Sequence, residues 1–229
     1  MLNMMRLDWL GMRAYRSRIV IAVATALGWG ILLNTRMIIP FLVWGMFEAA
    51  LYCFDAEEKG KLNQLYLTLP ISRGTLISAR YALSIILQLI GVVFGVIFTS
   101  IASRIMYGRT IMLMHTFIPD AVSMALIICA SLLFCAFLGL IIYPILHRFG
   151  YANAKMLGYA LPMYGSIILF AVFINLASHV EAVGAFVNSA FEWFHGNSIL
   201  VSAIILGVTA LFLVVSYALS LRMYAKRDF

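Results

Sequence analysis

Long apolar runs separated by short polar stretches dominate the chain. A helix needs about 20 residues to cross a hydrocarbon core roughly 30 Å thick, and six of these runs approach or reach that length. They cover residues 19–34, 37–54, 81–102, 121–143, 157–177 and 199–221. The pattern therefore predicts an all-α, polytopic membrane protein with about six transmembrane helices, forming a single transmembrane domain over residues 1–229.

The first two runs leave an alternative open. They are short and separated only by Thr35 and Arg36, so a single re-entrant hairpin fits them as well as two full spans. Arginines ahead of the first run also suggest a signal peptide, but no small-x-small cleavage site follows. We therefore expect this run to be retained in the membrane.

Composition excludes a soluble enzyme. Hydrophobic residues make up 64% of the chain and charged residues 11%, whereas soluble domains are about half apolar and about one quarter charged. The three cysteines, Cys53, Cys129 and Cys135, lie in or beside apolar runs and form no CxxC pair. We interpret them as small buried apolar residues.

The distribution of basic residues predicts the orientation, because cytoplasmic segments near span ends carry an excess of Lys and Arg. With the N-terminus inside, 13 of the 16 basic residues fall in cytoplasmic stretches, and only Arg36, Arg104 and Arg109 fall outside. Both termini are therefore expected in the cytoplasm. Because the positive charge is divided among four separate stretches, the net charge of +7 does not indicate nucleic-acid binding.

Two further segments are expected to lie on the membrane surface. Within residues 1–18, Met5, Trp9 and Met12 share one side of a helix and Arg6, Arg13 and Ser17 the other, which predicts an interfacial helix on the inner leaflet. The residues that depart from this pattern are Asp8, Leu10 and Arg16. Residues 178–197 place apolar side chains at helical spacing, which predicts a second interfacial segment on the outer side.

The cytoplasmic segment at residues 55–80 carries the clearest functional pattern. Leu62, Leu65, Tyr66 and Leu69 form one face of a short helix that Pro70 ends. Because so short a helix is unstable alone in water, its apolar face must dock on something. It can rest on lipid headgroups, or it can fit a groove of a cytoplasmic partner.

This segment resembles the permease subunits of type-2 ATP-binding-cassette (ABC) exporters. The resemblance is carried by Glu58, by the stretch Leu-Asn-Gln-Leu-Tyr-Leu-Thr-Leu at 62–69, and by Pro70, Ile71, Ser72 and Arg73. The small size and minimal external loops are most similar to bacterial exporters of peptides, bacteriocins or drugs. The resemblance implies a multi-pass protein of the bacterial cytoplasmic membrane.

The resemblance also implies partners. A cytoplasmic ABC ATPase subunit would hold the segment, and a second permease copy, identical or different, would complete the assembly. The implied ATPase contacts are Glu57, Glu58, Lys61, Leu62, Leu65, Tyr66, Leu69, Pro70, Ser72 and Arg73. The chain has no G-x-x-x-x-G-K-[ST] loop, so we expect it not to be an enzyme and to bind no cofactor. ATP and magnesium would bind the partner.

Other candidate positions allow more than one interpretation. Glu48 lies inside the second apolar run, where it can line a substrate path, anchor a neighbouring helix or reach the cytoplasmic interface. Gly91 and Gly95 form a small-xxx-small pattern that can serve packing within the chain or a dimer seam. Glu192 and His195 have a metal-like spacing, but they are a single pair, so no metal site is predicted.

Three functions remain open. The favoured one is the permease of an ATP-driven exporter of an amphipathic or hydrophobic cargo. A membrane enzyme acting on lipid would need matched acid and base groups at one depth. A non-transporting immunity or assembly protein with the same architecture is the third.

Overall fold

The computed structural model describes residues 2–33, 35–60, 72–105, 124–154 and 196–225, with isolated positions between 164 and 194. Within these residues the protein is all-α. The helices are α1 (Leu2–Met12), α2 (Arg16–Leu33), α3 (Ile38–Lys59), α4 (Arg73–Ile105), α5 (Met124–Ala154) and α6 (Ser198–Ala225). Single 3₁₀ turns at Arg13–Tyr15 and Thr35–Met37 connect the first three helices.

Four helices in the described part of the chain are long and apolar enough to cross a membrane. They cover Thr35–Lys59, Gly74–Ile105, Met124–Tyr151 and Ser198–Ala225, and they match the second, third, fourth and sixth predicted spans. The first predicted span corresponds to α2, which is not among these four. The fifth, residues 157–177, lies largely outside the described residues. The protein is therefore a multi-pass membrane protein.

Helix α3 lies at the centre of the bundle and packs against α1, α2, α4 and α5. Its contact with α4 is close because Gly91 and Gly95 face it. A Cβ atom added at Gly91 would lie 3.0 Å from the carbonyl oxygen of Leu42, and one at Gly95 would lie 3.0 Å from the Cα atom of Ile39. The small-xxx-small pattern thus serves packing within the chain, one of its two predicted uses.

Helix α2 lies beside α3 along most of its length. Tyr15, just before α2, stacks on Tyr52 with ring centroids 5.1 Å apart. Further along, the Ala22 side chain faces Gly45. Near the connecting turn, Ala26 packs with Ile38 and Leu42. The two helices are therefore antiparallel neighbours, and the 18 residues of α2 extend about 27 Å.

Helices α5 and α6 form the other side of the bundle and pack extensively on each other. Helix α5 contains Pro144 and changes direction at Gly150, whose φ of 75° is a conformation that glycine adopts without strain. The outward faces of α4 and α6 expose many apolar side chains, as a lipid-facing surface does.

The N-terminal helix α1 is docked on protein. Its buried face consists of Met4, Asp8 and Met12, spaced four residues apart, while Trp9 is half-exposed. The sequence analysis had placed Met5, Trp9 and Met12 together, so the buried face is rotated from the predicted one. The difference arises at Asp8, which is buried near Arg80 of α4.

Candidate coupling site

Three ionisable side chains from three helices meet at one end of the bundle. Asp8 comes from α1, Glu57 from the last turns of α3, and Arg80 from the second turn of α4, and each is 3–4% exposed. We call this group the charge cluster. It lies where the chain leaves α3 and returns as α4, so it is at the base of the 60–72 connection.

The strongest contact in the charge cluster is between Arg80 and Glu57. The Arg80 guanidinium Nη2 donates a hydrogen bond to the Glu57 carboxylate Oε2. Its Nε atom lies 3.9 Å from Asp8 Oδ2, which is an ion-pair distance. The guanidinium carbon also lies 4.5 Å from the centre of the Phe54 ring, a cation–π geometry. Arg80 therefore ties α4 to both α3 and α1.

The cluster contains two carboxyl groups and one guanidinium. Burial raises the pKa of Asp8 above its ordinary value. The positive charge of Arg80 lowers this pKa in part, and the negative charge of Glu57 raises it further. The Asp8 Oδ2 and Glu57 Oε1 atoms have no hydrogen-bond partner among the described residues. The cluster is closest to neutral when Asp8 holds a proton, which is the state that burial favours.

A cage of aromatic rings adjoins the charge cluster. The fully buried ring of His147 lies against four rings from α3, α4, α5 and α6. The nearest is Phe54, with centroids 4.9 Å apart in an edge-to-face arrangement. The other three rings that surround His147 are those of Tyr81, Tyr143 and Tyr224. Phe54 therefore contacts both the Arg80 guanidinium and the His147 cage.

Hydrogen bonds connect the cage to α6. The Tyr81 hydroxyl lies 2.6 Å from Ser216 Oγ and 2.8 Å from Ser220 Oγ, both buried on α6. Ser216 in turn donates to the carbonyl oxygen of Gly139 at 2.9 Å. On the other side, the Tyr143 hydroxyl donates to Ser84 Oγ at 2.6 Å. Polar contacts thus bridge α4, α5 and α6 in the buried interior of the bundle.

Comparison with known proteins identifies the family. Residues 4–225 match the model of the ABC-2 family transporter proteins, which is nearly the whole chain. The chain belongs to the ABC-2 transporter family. No curated protein and no solved structure matches it.

Membership makes the chain the membrane component of an ABC-2 transporter. Members of this family are transporter subunits that lack an ATPase domain, so the family implies a partner ATPase. The predicted permease identity is therefore confirmed at family level. The kind of cargo is a separate question.

The structure places some of the predicted ATPase contacts of this ABC-2 protein. Glu57 is buried in the charge cluster, and Glu58, the next residue, is half-buried. Ser72 is exposed and caps α4: its Oγ accepts a hydrogen bond from the Thr75 backbone N–H at 3.2 Å. Arg73 is the first residue of α4.

The remaining predicted contacts and the predicted coupling helix lie outside the described residues. These contacts are Lys61, Leu62, Leu65, Tyr66, Leu69 and Pro70. The helices on either side extend further than the sequence suggested. Helix α3 continues through Asp55 and Glu57 to Lys59. The reason is that buried or neighbouring basic groups compensate both carboxylates, so the helix need not end where charges begin.

Other predicted positions are also located. Glu48 is half-buried on α3, within electrostatic range of Tyr52 and of Cys135 on α5. The cysteines Cys53, Cys129 and Cys135 are buried and free, as predicted. Within the described residues, no three His, Cys, Asp or Glu side chains could hold a metal ion. Of the outer-side candidates, Glu192 and His195 lie outside those residues.

Sequence reasoning did not find the charge cluster. Arg80 counted only as one of the cytoplasmic basic residues, and Asp8 only disturbed the pattern of α1. The available signal was the spacing: Asp8 follows Met4 and precedes Met12 by one turn each, so all three share a face. An acid on the apolar face of a basic helix indicates a buried cationic partner.

Proposed function

We propose that this chain is the permease subunit of an ATP-driven exporter whose partner ATPase binds the 57–73 segment and drives its movement. The supporting observation is the buried Glu57–Arg80 pair, which joins the two helices that flank this segment. A force applied between α3 and α4 would act on both helices and, through Asp8, on α1. Family membership implies a partner ATPase, and the buried Glu57–Arg80 pair connects the two helices that flank its proposed docking segment.

The route from the segment into the membrane follows the described contacts. Arg80 contacts Phe54, Phe54 contacts His147, and the adjoining Tyr81 bonds to α6. Packed cores change between discrete arrangements rather than deforming continuously. Movement at the charge cluster would therefore be transmitted to α5 and α6, where a path for cargo can open or close.

The proposal includes six spans with both termini in the cytoplasm. Helix α2 supports this, because it lies beside a candidate span and at about 27 Å is nearly as long as the hydrocarbon core is thick. A pair of full crossings fits these lengths better than a re-entrant hairpin. The excess of basic residues on one side supports the direction.

The cargo we propose is an amphipathic or hydrophobic molecule such as a peptide toxin, a bacteriocin or a drug. The chain is 64% hydrophobic and has only short external segments, so it offers no soluble domain that could collect a polar cargo. We propose a working assembly of two permeases and two ATPases, with ATP and magnesium bound by the ATPases.

Co-purification tests the proposal. The chain is expressed with the ATPase encoded beside it, as wild type and as the variant Leu65→Glu with Tyr66→Ala. We expect the wild type to retain the ATPase and the variant to lose it along with export, because the changes remove apolar contacts from the proposed docking face. Ile199→Glu with Tyr164→Ala alters two exposed side chains elsewhere and is the control. Equal ATPase retention by all three proteins would overturn the proposal.

A further inference from the structure

A second group of charged and aromatic side chains lies near the charge cluster but does not belong to it. It is built from the start of α2, the end of α3 and the end of α5, all at the same end of the bundle. We call it the tyrosine–cation site. Its members are Tyr15, Arg18, Tyr52, Asp55, Lys59 and Tyr151.

Two cations in this site share one carboxylate oxygen. Lys59 Nζ lies 2.7 Å from Asp55 Oδ2, and Arg18 Nη1 lies 4.0 Å from the same atom. The Asp55 side chain is 8% exposed, whereas those of Arg18 and Lys59 are 56% and 61% exposed. One buried negative charge thus holds two exposed positive charges, and Glu48, within electrostatic range of Tyr52, is a second and half-buried negative charge deeper along α3.

Tyrosine rings hold these two cations in place. Arg18 and Lys59 each lie 5.4 Å from the centre of the Tyr15 ring. Tyr15 stacks on Tyr52 with an interplanar angle of 11°. Tyr151, just past the turn at Gly150, is within electrostatic range of Arg18, Asp55 and Lys59. Burial and the Asp55 carboxylate raise the pKa of Tyr15, so its hydroxyl remains a hydrogen-bond donor.

The surface next to the cations is apolar. Ile21, three residues after Arg18 and therefore on the same side of α2, is 63% exposed. Exposed cations beside tyrosine rings at a helix end, with an exposed aliphatic side chain one turn further into the membrane, match the two parts of a phospholipid. The headgroup phosphate would meet Arg18 and Lys59, and the acyl chains would lie along Ile21.

We propose that the tyrosine–cation site binds the headgroup of an anionic phospholipid from the leaflet at this end of the bundle. A soluble anion would use the cations but would gain nothing from Ile21. A zwitterionic lipid would bring its own positive charge next to Arg18 and Lys59, the exposed charges of the site. The combination of charge and apolar surface therefore favours an anionic lipid. The proposal concerns the permease alone and does not depend on the partner ATPase.

Native mass spectrometry of the purified chain tests this, with phosphatidylglycerol and phosphatidylcholine as probes. We expect the wild type to bind phosphatidylglycerol in preference. Arg18→Gln with Lys59→Gln should weaken that binding roughly 30-fold, from the usual contribution of a cation beside an anionic membrane. Arg6→Gln with Arg222→Gln removes the same charge from exposed positions elsewhere and should leave the binding unchanged.

A variant that should bind phosphatidylglycerol more tightly keeps the test decisive if Arg18→Gln with Lys59→Gln fails to fold. Asp55→Asn removes the carboxylate that competes for Arg18 and Lys59, so phosphatidylglycerol should bind more tightly than to the wild type. Inorganic phosphate is added separately and should not displace the lipid. Equal binding of both lipids, no change in either variant, or displacement by phosphate alone would overturn the proposal.

Discussion

Glu57 and Arg80 are 23 residues apart in the chain, yet they form a buried ion pair that joins the end of α3 to the start of α4. The residues between them include the 62–69 stretch proposed to dock on the partner ATPase. The pair holds the two ends of this connection together, so a displacement of one helix end pulls on the other. This relationship makes several measurable predictions.

Removing the acidic partner should destabilise the fold. Glu57→Gln leaves the Arg80 charge buried without its main compensation, and breaking a buried pair in this way costs about 3 kcal/mol or more. The measurement is thermal unfolding of the purified protein in detergent. Glu58→Gln removes the same charge from the next, half-buried residue and should lower the melting temperature much less. Equal shifts would show that the pair is unimportant to stability.

Replacing Asp8 should affect stability in the opposite direction from replacing Glu57. Because burial raises its pKa in the folded protein, the fold binds this proton more tightly than the unfolded chain does. The stability it contributes is therefore lost as the pH rises from the ordinary value of 3.8 through the raised pKa. Asp8→Asn removes this loss, so its melting temperature relative to the wild type should rise over that range. A difference that stays constant with pH would refute the assignment.

The contact between α3 and α4 should not tolerate a methyl group. Gly91→Ala would place Cβ 3.0 Å from a backbone oxygen and should cost about 1–3 kcal/mol through overpacking. Gly207→Ala is the matched control, because nothing lies within 4 Å of its added Cβ. Alanine favours a helix, so that variant should be neutral or slightly more stable. Both variants are compared by thermal unfolding.

The direction of the chain can be tested by labelling. Arg36, in the turn between α2 and α3, is predicted outside, and the exposed Gly60 at the end of α3 is predicted inside. In intact cells, a membrane-impermeant maleimide should label Arg36→Cys and not Gly60→Cys. The native cysteines Cys53, Cys129 and Cys135 are buried, so they should contribute little background. Labelling of Gly60→Cys alone would reverse the orientation.

The sequence predicted the parts of the fold that depend on local composition. Four of the six apolar runs correspond to long helices, because a run of apolar residues has few alternatives in lipid. The limits differ: α4 begins before its predicted run and α5 ends after its predicted run. The family was also identified, because the resemblance at Glu58 and 62–73 agrees with the match over 4–225.

The charge cluster could not be predicted in the same way, because it depends on long-range contacts. No local pattern relates Asp8 to Arg80, and the sequence alone made Asp8 look like an irregularity of α1. The extension of α3 past Asp55 has the same cause. Charges usually mark the end of a span, but here Lys59 and Arg80 compensate the carboxylates and the helix continues.

The most direct test measures ATP hydrolysis by the partner ATPase, reconstituted in liposomes with either the wild-type chain or Glu57→Gln, at a temperature where both are folded. The apolar docking face at Leu62, Leu65, Tyr66 and Leu69 is unchanged in this variant, and the Glu57 side chain is buried, so the ATPase should still bind. We predict that permease-dependent ATP hydrolysis and export both fall at least tenfold in Glu57→Gln, while Gly207→Ala behaves as the wild type. Hydrolysis and export at the wild-type rate in folded Glu57→Gln would contradict the proposed role of the Glu57–Arg80 pair.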